Sequence, residues 1–272
     1  MQAQKYSEVE FTVSGHVGVV TLNRPERLNA WTSQMGAEVH QIMHGAADDE
    51  QVRVIVLTGA GRGFCAGVDM SRPTNAFKGD QPRTFRDTPD AIELRAFQRK
   101  NTYFPTIPKP IIAAINGPCA GIGLSMALFC DMRFASESSV FTTAFARRGL
   151  IAEHGMSWTL PRLVGHSAAT DLILSARKIA AAEALKLGMV DRVYNPDELM
   201  SATLEYAKEM SEFCSPRSLA VMKKQLWLSQ TQSFTESMDL ADHEMDLSLK
   251  SEDHKEGVRH FLEKRPPSFT GR

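Results

Sequence analysis

Residues 111–129 read Ile111-Ile-Ala-Ala-Ile115-Asn-Gly-Pro-Cys-Ala-Gly121-Ile-Gly-Leu-Ser125-Met-Ala-Leu-Phe129. An unbroken apolar run such as 111–115 suits a strand covered on both faces, the condition of a parallel sheet. Gly117, Gly121 and Gly123 then lead into a helical run from Leu124 to Phe129, and Met132 to Ala135 reads as a further short strand. Strand, glycine turn, helix and strand in succession predict an α/β fold.

Working outward, Val52-Arg-Val-Ile-Val-Leu57 is a second buried strand, ending in Thr58-Gly-Ala-Gly61. Ahead of it Met35, Val39, Ile42, Met43 and Ala46 recur at helical spacing behind a Thr32 cap. Phe11 to Asn23, with turn glycines at 15 and 18, reads as a hairpin feeding the strand Val17 to Leu22. Ser71 to Asp90 is polar and broken by Pro73, Pro82 and Pro89, the character of a mobile surface segment or lid. From about Ser157 the pattern turns helical. Asn195-Pro-Asp-Glu198 reads as a cap, a first-position proline and a capping-box glutamate. Helical stretches are expected to about Gln230, from Ser233 to Ser248 and from Glu252 to Lys264. The expected division is an α/β core over 1–195 and a helical subdomain over 196–272.

The chain has 272 residues, 43% of them hydrophobic and 23% charged, which excludes a disordered polymer. Its 31 Lys and Arg against 32 Asp and Glu leave a net charge of -1, so no nucleic-acid partner is expected. No apolar run approaches the roughly 20 residues that cross a bilayer, and the first residues carry no signal-peptide core. Cys65, Cys119, Cys130 and Cys214 are widely spaced and read as reduced and buried. A cytoplasmic protein with no membrane partner is the expectation.

Gly59-Ala-Gly61-Arg-Gly63-Phe64 follows a strand, but Phe64 stands where a dinucleotide fingerprint needs its third glycine. His16, His40 and His44 lack metal-ligand spacing and read as a solvated face, so no metal is expected. Two glycine segments carry more chemistry. Phe64-Cys-Ala66-Gly67-Val68-Asp69 and Asn116 to Ser125 each follow a buried strand and each offer unpaired backbone N–H groups. Converging on one oxygen, two such donors would form an oxyanion hole; apart, they are glycine turns that close strands.

Taken together with Leu22 to Ala30, Ala180 to Asp191 and the tail Ser251 to Phe269, these segments make the chain resemble the crotonase superfamily along essentially its whole length. This is the enoyl-CoA hydratase/isomerase family. The resemblance implies a spiral of ββα turns with C-terminal helices that mediate trimers or dimers of trimers. It implies an acyl-CoA thioester as substrate and no cofactor, because the thioester itself acidifies its α-carbon. Val68 and Ile122 match the family's two backbone donors, within loops that include Ala66, Gly67, Asp69 and Gly121. Arg27, Leu28 and Ala30 match the stretch lining the coenzyme A pocket, and Lys264 matches a tail position that reaches its phosphates.

The departure lies in the carboxylates. Where hydratases of the family carry their two glutamates, this chain has Ser125 and Phe145. A replacement stands eight residues beyond Phe145, in Arg147-Arg-Gly-Leu-Ile-Ala-Glu153-His154-Gly155-Met-Ser-Trp158. That run resembles the epoxyphenylacetyl-CoA isomerase-like members of the superfamily. Burial would raise the pKa of Glu153 toward values useful for proton transfer. Ser125 could bond substrate or its own helix, and His154 need not face the way Glu153 does. The expected reaction is double-bond isomerisation with Glu153 shuttling the proton. Hydration by the same residue is the alternative within the class, and a non-catalytic acyl-CoA binding protein the alternative outside it.

Overall fold

The computed structural model describes residues 6–71, 94 and 97–272. The proline-broken segment 71–90 therefore lies outside the described residues, Ser71 apart.

A six-stranded sheet forms the centre, in the order β1 (Val9–Ser14), β2 (Val17–Leu22), β3 (Val54–Gly59), β4 (Ile111–Ile115), β6 (Met132–Ser136) and β9 (Arg192–Tyr194). β1 and β2 are the expected hairpin, turning at Gly15 with φ +58°. From β2 onward every pairing is parallel, with Val17 beside Val54, Ile55 beside Ile111, and Ile112 beside Met132. All residues of β3 and β4 are buried. The reason is the two-residue period of a strand. Ile55, Leu57, Ile111, Ala113 and Ile115 point into one apolar cluster, and Val54, Val56, Ile112 and Ala114 into another on the opposite face.

The first cluster is closed by α1 (Ser33–Asp48), through Met35, Val39, Ile42 and Met43. Thr32 caps it, its hydroxyl accepting from the Met35 N–H at 2.9 Å while donating to the Glu8 carboxylate. α2 (Ile122–Phe129) is buried along its whole length behind the same face. α3 (Met156–Val164), α4 (His166–Ser175) and α5 (Ala181–Lys186) follow. The second face is covered by α6 (Leu199–Phe213), which places Leu199 and Ala207 against Val54, Ile112 and Phe134. Residues beyond 195 thus complete the core of the sheet. α7 (Pro216–Leu228), α8 (Phe234–Ser248) and α9 (Glu252–Glu263) complete the chain, with Trp227 and Leu228 in the main core. The capping box falls at Ser233 and Glu236.

Four features depart from the sequence reading. The strand expected at 52–57 runs from Val54 to Gly59, two residues later, because Val52 closes a turn onto Asp49. Cys119–Ala120, Val140–Thr142 and Ile179–Ala180 form a separate small sheet (β5, β7, β8), and β9 falls inside the stretch read as helical. Strands of two or three residues are too short to show a period. The capping box expected at Asn195 does not form. Residues 195–198 make a turn in which the Asn195 amide donates to the Glu198 carboxylate at 3.0 Å, and α6 begins after it. Cys65, Cys119 and Cys130 are free and buried, but Cys214 is exposed at the end of α6. No helix among the described residues is long and apolar enough to cross a membrane.

Candidate active site

The two glycine loops meet. Cys65 N–H donates to Pro118 O at 3.1 Å and Ala120 N–H to Cys65 O at 2.9 Å, so the loop after β3 is laced to the loop after β4. Gly67 has φ +100° and Gly121 φ +51°, both in the left-handed half of the map where a side chain is strained. A β-carbon on Gly121 would stand 3.9 Å from the Gly67 α-carbon, so these turns lie back to back.

Val68 and Ile122 directly follow these glycines. Trp31 bridges to Val68: its N–H donates to Gly67 O at 2.7 Å and its O accepts from Asp69 N–H at 3.0 Å. That pairing uses the groups on either side and leaves the Val68 N–H without a hydrogen bond among the described residues. Ile122 opens α2, where the first N–H groups have no partner within the helix and the dipole favours negative charge. Both residues line one cavity of about 1340 Å3, larger than the roughly 300–1,000 Å3 of ordinary small-molecule pockets.

Glu153 lines the same cavity, from the turn that enters α3. Gly155 sets that turn against α2: with φ +71°, it lies where a β-carbon would meet the Phe129 ring at 2.8 Å. The burial expected of Glu153 is incomplete, since 26% of its side chain is exposed. His154, at φ +52°, turns its ring toward it, with Nε2 3.7 Å from Glu153 Oε2. Its other ring nitrogen, Nδ1, lies 3.2 Å from the Asn101 amide nitrogen. Burial holds the His154 imidazole below its ordinary pKa, against the raising influence of Glu153 and with a smaller lowering one from Lys100.

The structure thus brings Val68, Ile122 and Glu153 to the lining of one cavity, while the other sequence candidates are not among its lining residues. Ser125 is fully buried and donates to Gly121 O at 3.2 Å, bonding its own helix. Phe145 is buried, with its ring at the Gly121 turn. Asp69 is engaged by Arg24 at 2.8 Å and by Ser71 at 2.6 Å. The Ser71 hydroxyl and then Arg24 hold its carboxyl far below the usual carboxylate range. Ala66 N–H bonds Leu28 O at 3.0 Å, and Ala30 O accepts from Arg24 at 2.6 Å, so this stretch braces the donor loop from outside. Arg27 and Lys264 are exposed, Lys264 closing α9 at φ +54°.

Sequence reasoning missed part of the wall. His40 and His44, read as a solvated face, line the cavity and pack on Tyr103, with ring centroids 4.8 and 5.4 Å away. Both flank the buried stripe of α1 one residue beyond Val39 and Met43, a position that could have flagged them. Asn101 carried no signal at all. No group of three or more metal-ligating side chains occurs among the described residues.

Comparison with known proteins shows the family of this chain. Residues 12–272 match the enoyl-CoA hydratase/isomerase family. The chain is 34% identical over 257 residues to the 1,2-epoxyphenylacetyl-CoA isomerase of Escherichia coli K12, covering 94% of this chain and 95% of that one. Among solved structures it superposes on an enoyl-CoA hydratase of Bacillus anthracis with a TM-score of 0.86 at 27% identity, covering 98% of this chain and 100% of the other. An enoyl-CoA hydratase/isomerase of Mycobacterium paratuberculosis matches equally, with a TM-score of 0.86 at 29% identity over 98% and 100% of the two chains. The fold is the crotonase fold, and the chain is an enzyme belonging to the enoyl-CoA hydratase/isomerase family.

Proposed function

We propose that this enzyme isomerises the double bond of an enoyl-CoA thioester, with Glu153 moving the proton. The observation that carries the reading is that Glu153, Val68 and Ile122 line one cavity, with serine and phenylalanine where the two hydratase glutamates would stand. The other carboxylates on the wall come from different elements. Glu244 on α8 is held by Arg217 and Lys224, Glu50 pairs with Arg272, and Asp48 ends α1.

The thioester carbonyl oxygen accepts from the Val68 and Ile122 N–H groups. When Glu153 removes a proton from the acyl chain, the C–H electron pair enters the conjugated system and the charge collects on that oxygen. Two preorganised donors stabilise it there, each worth about 3 kcal/mol. Glu153 then returns the proton to a different carbon, the double bond has moved, and no atom is gained or lost. No cofactor takes part in these steps. Buried Ile122, which lines the cavity, favours return of the proton over entry of water. The isomerase name carried by the Escherichia coli relative agrees with this reading. The trimer or dimer of trimers rests on the family resemblance; exposed Phe234, Phe261 and Leu262 on α8 and α9 support only an interface through these helices.

The test is separation and mass spectrometry of products from matched 2-enoyl-CoA and 3-enoyl-CoA substrates. The expected product has unchanged mass and shifted retention, and its formation falls about 10²–10⁴-fold in Glu153→Gln. A product heavier by one water from the 2-enoyl substrate would make the enzyme a hydratase. Tight binding without turnover would make the chain an acyl-CoA binding protein.

A further inference from the structure

Resting on Glu153 as the proton-moving carboxylate, we propose that Asn101 and His154 form a tautomer-locked donor behind it. Asn101 fixes the imidazole so that its single N–H faces the carboxylate.

The geometry begins with the backbone. His154 and Gly155 are consecutive left-handed residues, at φ +52° and +71°. An extended or helical backbone would send adjacent side chains in different directions. Here, with His154 left-handed, the imidazole lies beside its predecessor, with Nε2 3.7 Å from Glu153 Oε2. Histidine is among the few non-glycine residues that adopt this conformation with any frequency.

The tautomer follows from the other side of the ring. Asn101 Nδ2 lies 3.2 Å from His154 Nδ1, and an amide nitrogen can only donate. Nδ1 therefore accepts, and a neutral ring carries its proton on Nε2, toward Glu153. Asn101 is itself buried, 9% exposed, and its Oδ1 has no hydrogen-bond partner among the described residues. Turned over, the amide would orphan buried N–H donors, rarer in proteins than an orphaned carbonyl oxygen. Burial keeps the ring neutral, with Glu153 opposing and Lys100 assisting as the charged groups that act on it.

A separation of 3.7 Å exceeds a hydrogen bond, and such contacts commonly close only when substrate binds. Closed, the Nε2–H stabilises the carboxylate anion, keeping the base ready and aimed. The opposite tautomer would set a lone pair against that anion. His154 and Asn101 are thus positioning residues that act through Glu153.

Two measurements test this. Imidazole 15N shifts of His154 in the labelled wild-type enzyme at pH 7 should show the neutral Nε2–H form; an Nδ1–H form or an imidazolium would overturn the proposal. In kinetics, His154→Leu should lower kcat about tenfold with little change in KM, and move the acid limb of the kcat/KM profile to higher pH. His154→Gln, which keeps an N–H of similar reach without tautomers, should recover most of the loss. Asn101→Leu should mimic His154→Leu in the wild-type background and cost nothing further beside His154→Gln. A loss that persists in that double variant would assign Asn101 a structural role only and overturn the lock. Turnover retained by Glu153→Gln would instead overturn the reading beneath it. An inactive Glu153→Gln with unchanged pH profiles in the other variants would overturn this inference alone.

Discussion

Gly123 sits so close to Cys65 that a β-carbon would stand 2.5 Å from the Cys65 carbonyl oxygen and 2.7 Å from its β-carbon. This contact sets the spacing between the loop that bears Val68 and the helix that bears Ile122, the two proposed donors, and it leaves no room for a methyl group.

Gly123→Ala must therefore push α2 away from the loop. We expect a stability loss of about 1–3 kcal/mol, read as a lower urea midpoint. Activity should fall further than stability, by about 10²-fold or more, because displaced donors lose their alignment with the developing charge. A variant with full activity would show that the loop spacing is not what aligns them.

Asp69 gives a prediction in pH. Its side chain is 7% exposed beside Arg24, and its carboxyl is held well below the ordinary range, first by Ser71 and then by Arg24. A carboxyl with a depressed folded pKa contributes stability that is present above its unfolded pKa near 4 and lost as pH falls through the folded value. Asp69→Asn should lower stability at pH 7 by about 3–5 kcal/mol, since Arg24 is left buried with one acidic partner fewer. It should also flatten the decline of stability below pH 4, which denaturant melts at a series of pH values would measure. An unchanged acid slope would contradict this account.

Lys223 joins α7 to the sheet. Its Nζ lies 2.7 Å from Asp131 Oδ2 with the lysine side chain 5% exposed, and the same carboxylate accepts from Trp227 Nε1 at 3.0 Å and from Ile111 N–H at 2.7 Å. Lys223→Met keeps the length of the side chain but strips the charge that offsets a partly buried carboxylate. A loss of about 3–5 kcal/mol is expected by thermal or chemical melting, and Asp131→Asn should cost a similar amount because it leaves the buried Lys223 without its counter-charge. A Lys223→Met variant that melts like the wild type would show that the hydrogen bonds, not the ion pair, hold this joint.

The parallel sheet, the hairpin, α1 with its Thr32 cap and the two donor loops were all legible in the sequence. Each rests on a local pattern: buried apolar runs at β3 and β4, a 3.6-residue period over 35–46, and glycines at turns that need positive φ. Val68 and Ile122 could be singled out within those loops only through the resemblance to the crotonase superfamily. β9 could not, because three residues show no period, and its place beside Phe134 depends on what the sheet edge leaves open.

What the sequence by itself determined is the order of the longer elements and the identity of the groups at the ends of β3 and β4. Only the tertiary structure decided which distant groups meet. Asn101 reaches His154 across 53 positions and Arg24 reaches Asp69 across 45, while His40 and His44 turn to the cavity rather than to solvent. Likewise His154 lies beside Glu153 from a position of left-handed backbone, at φ +52°. The physical reason is that periodicity and turn chemistry are properties of neighbours along the chain. A site is a convergence in space, set by the angles at a few turns and by which faces the core leaves uncovered.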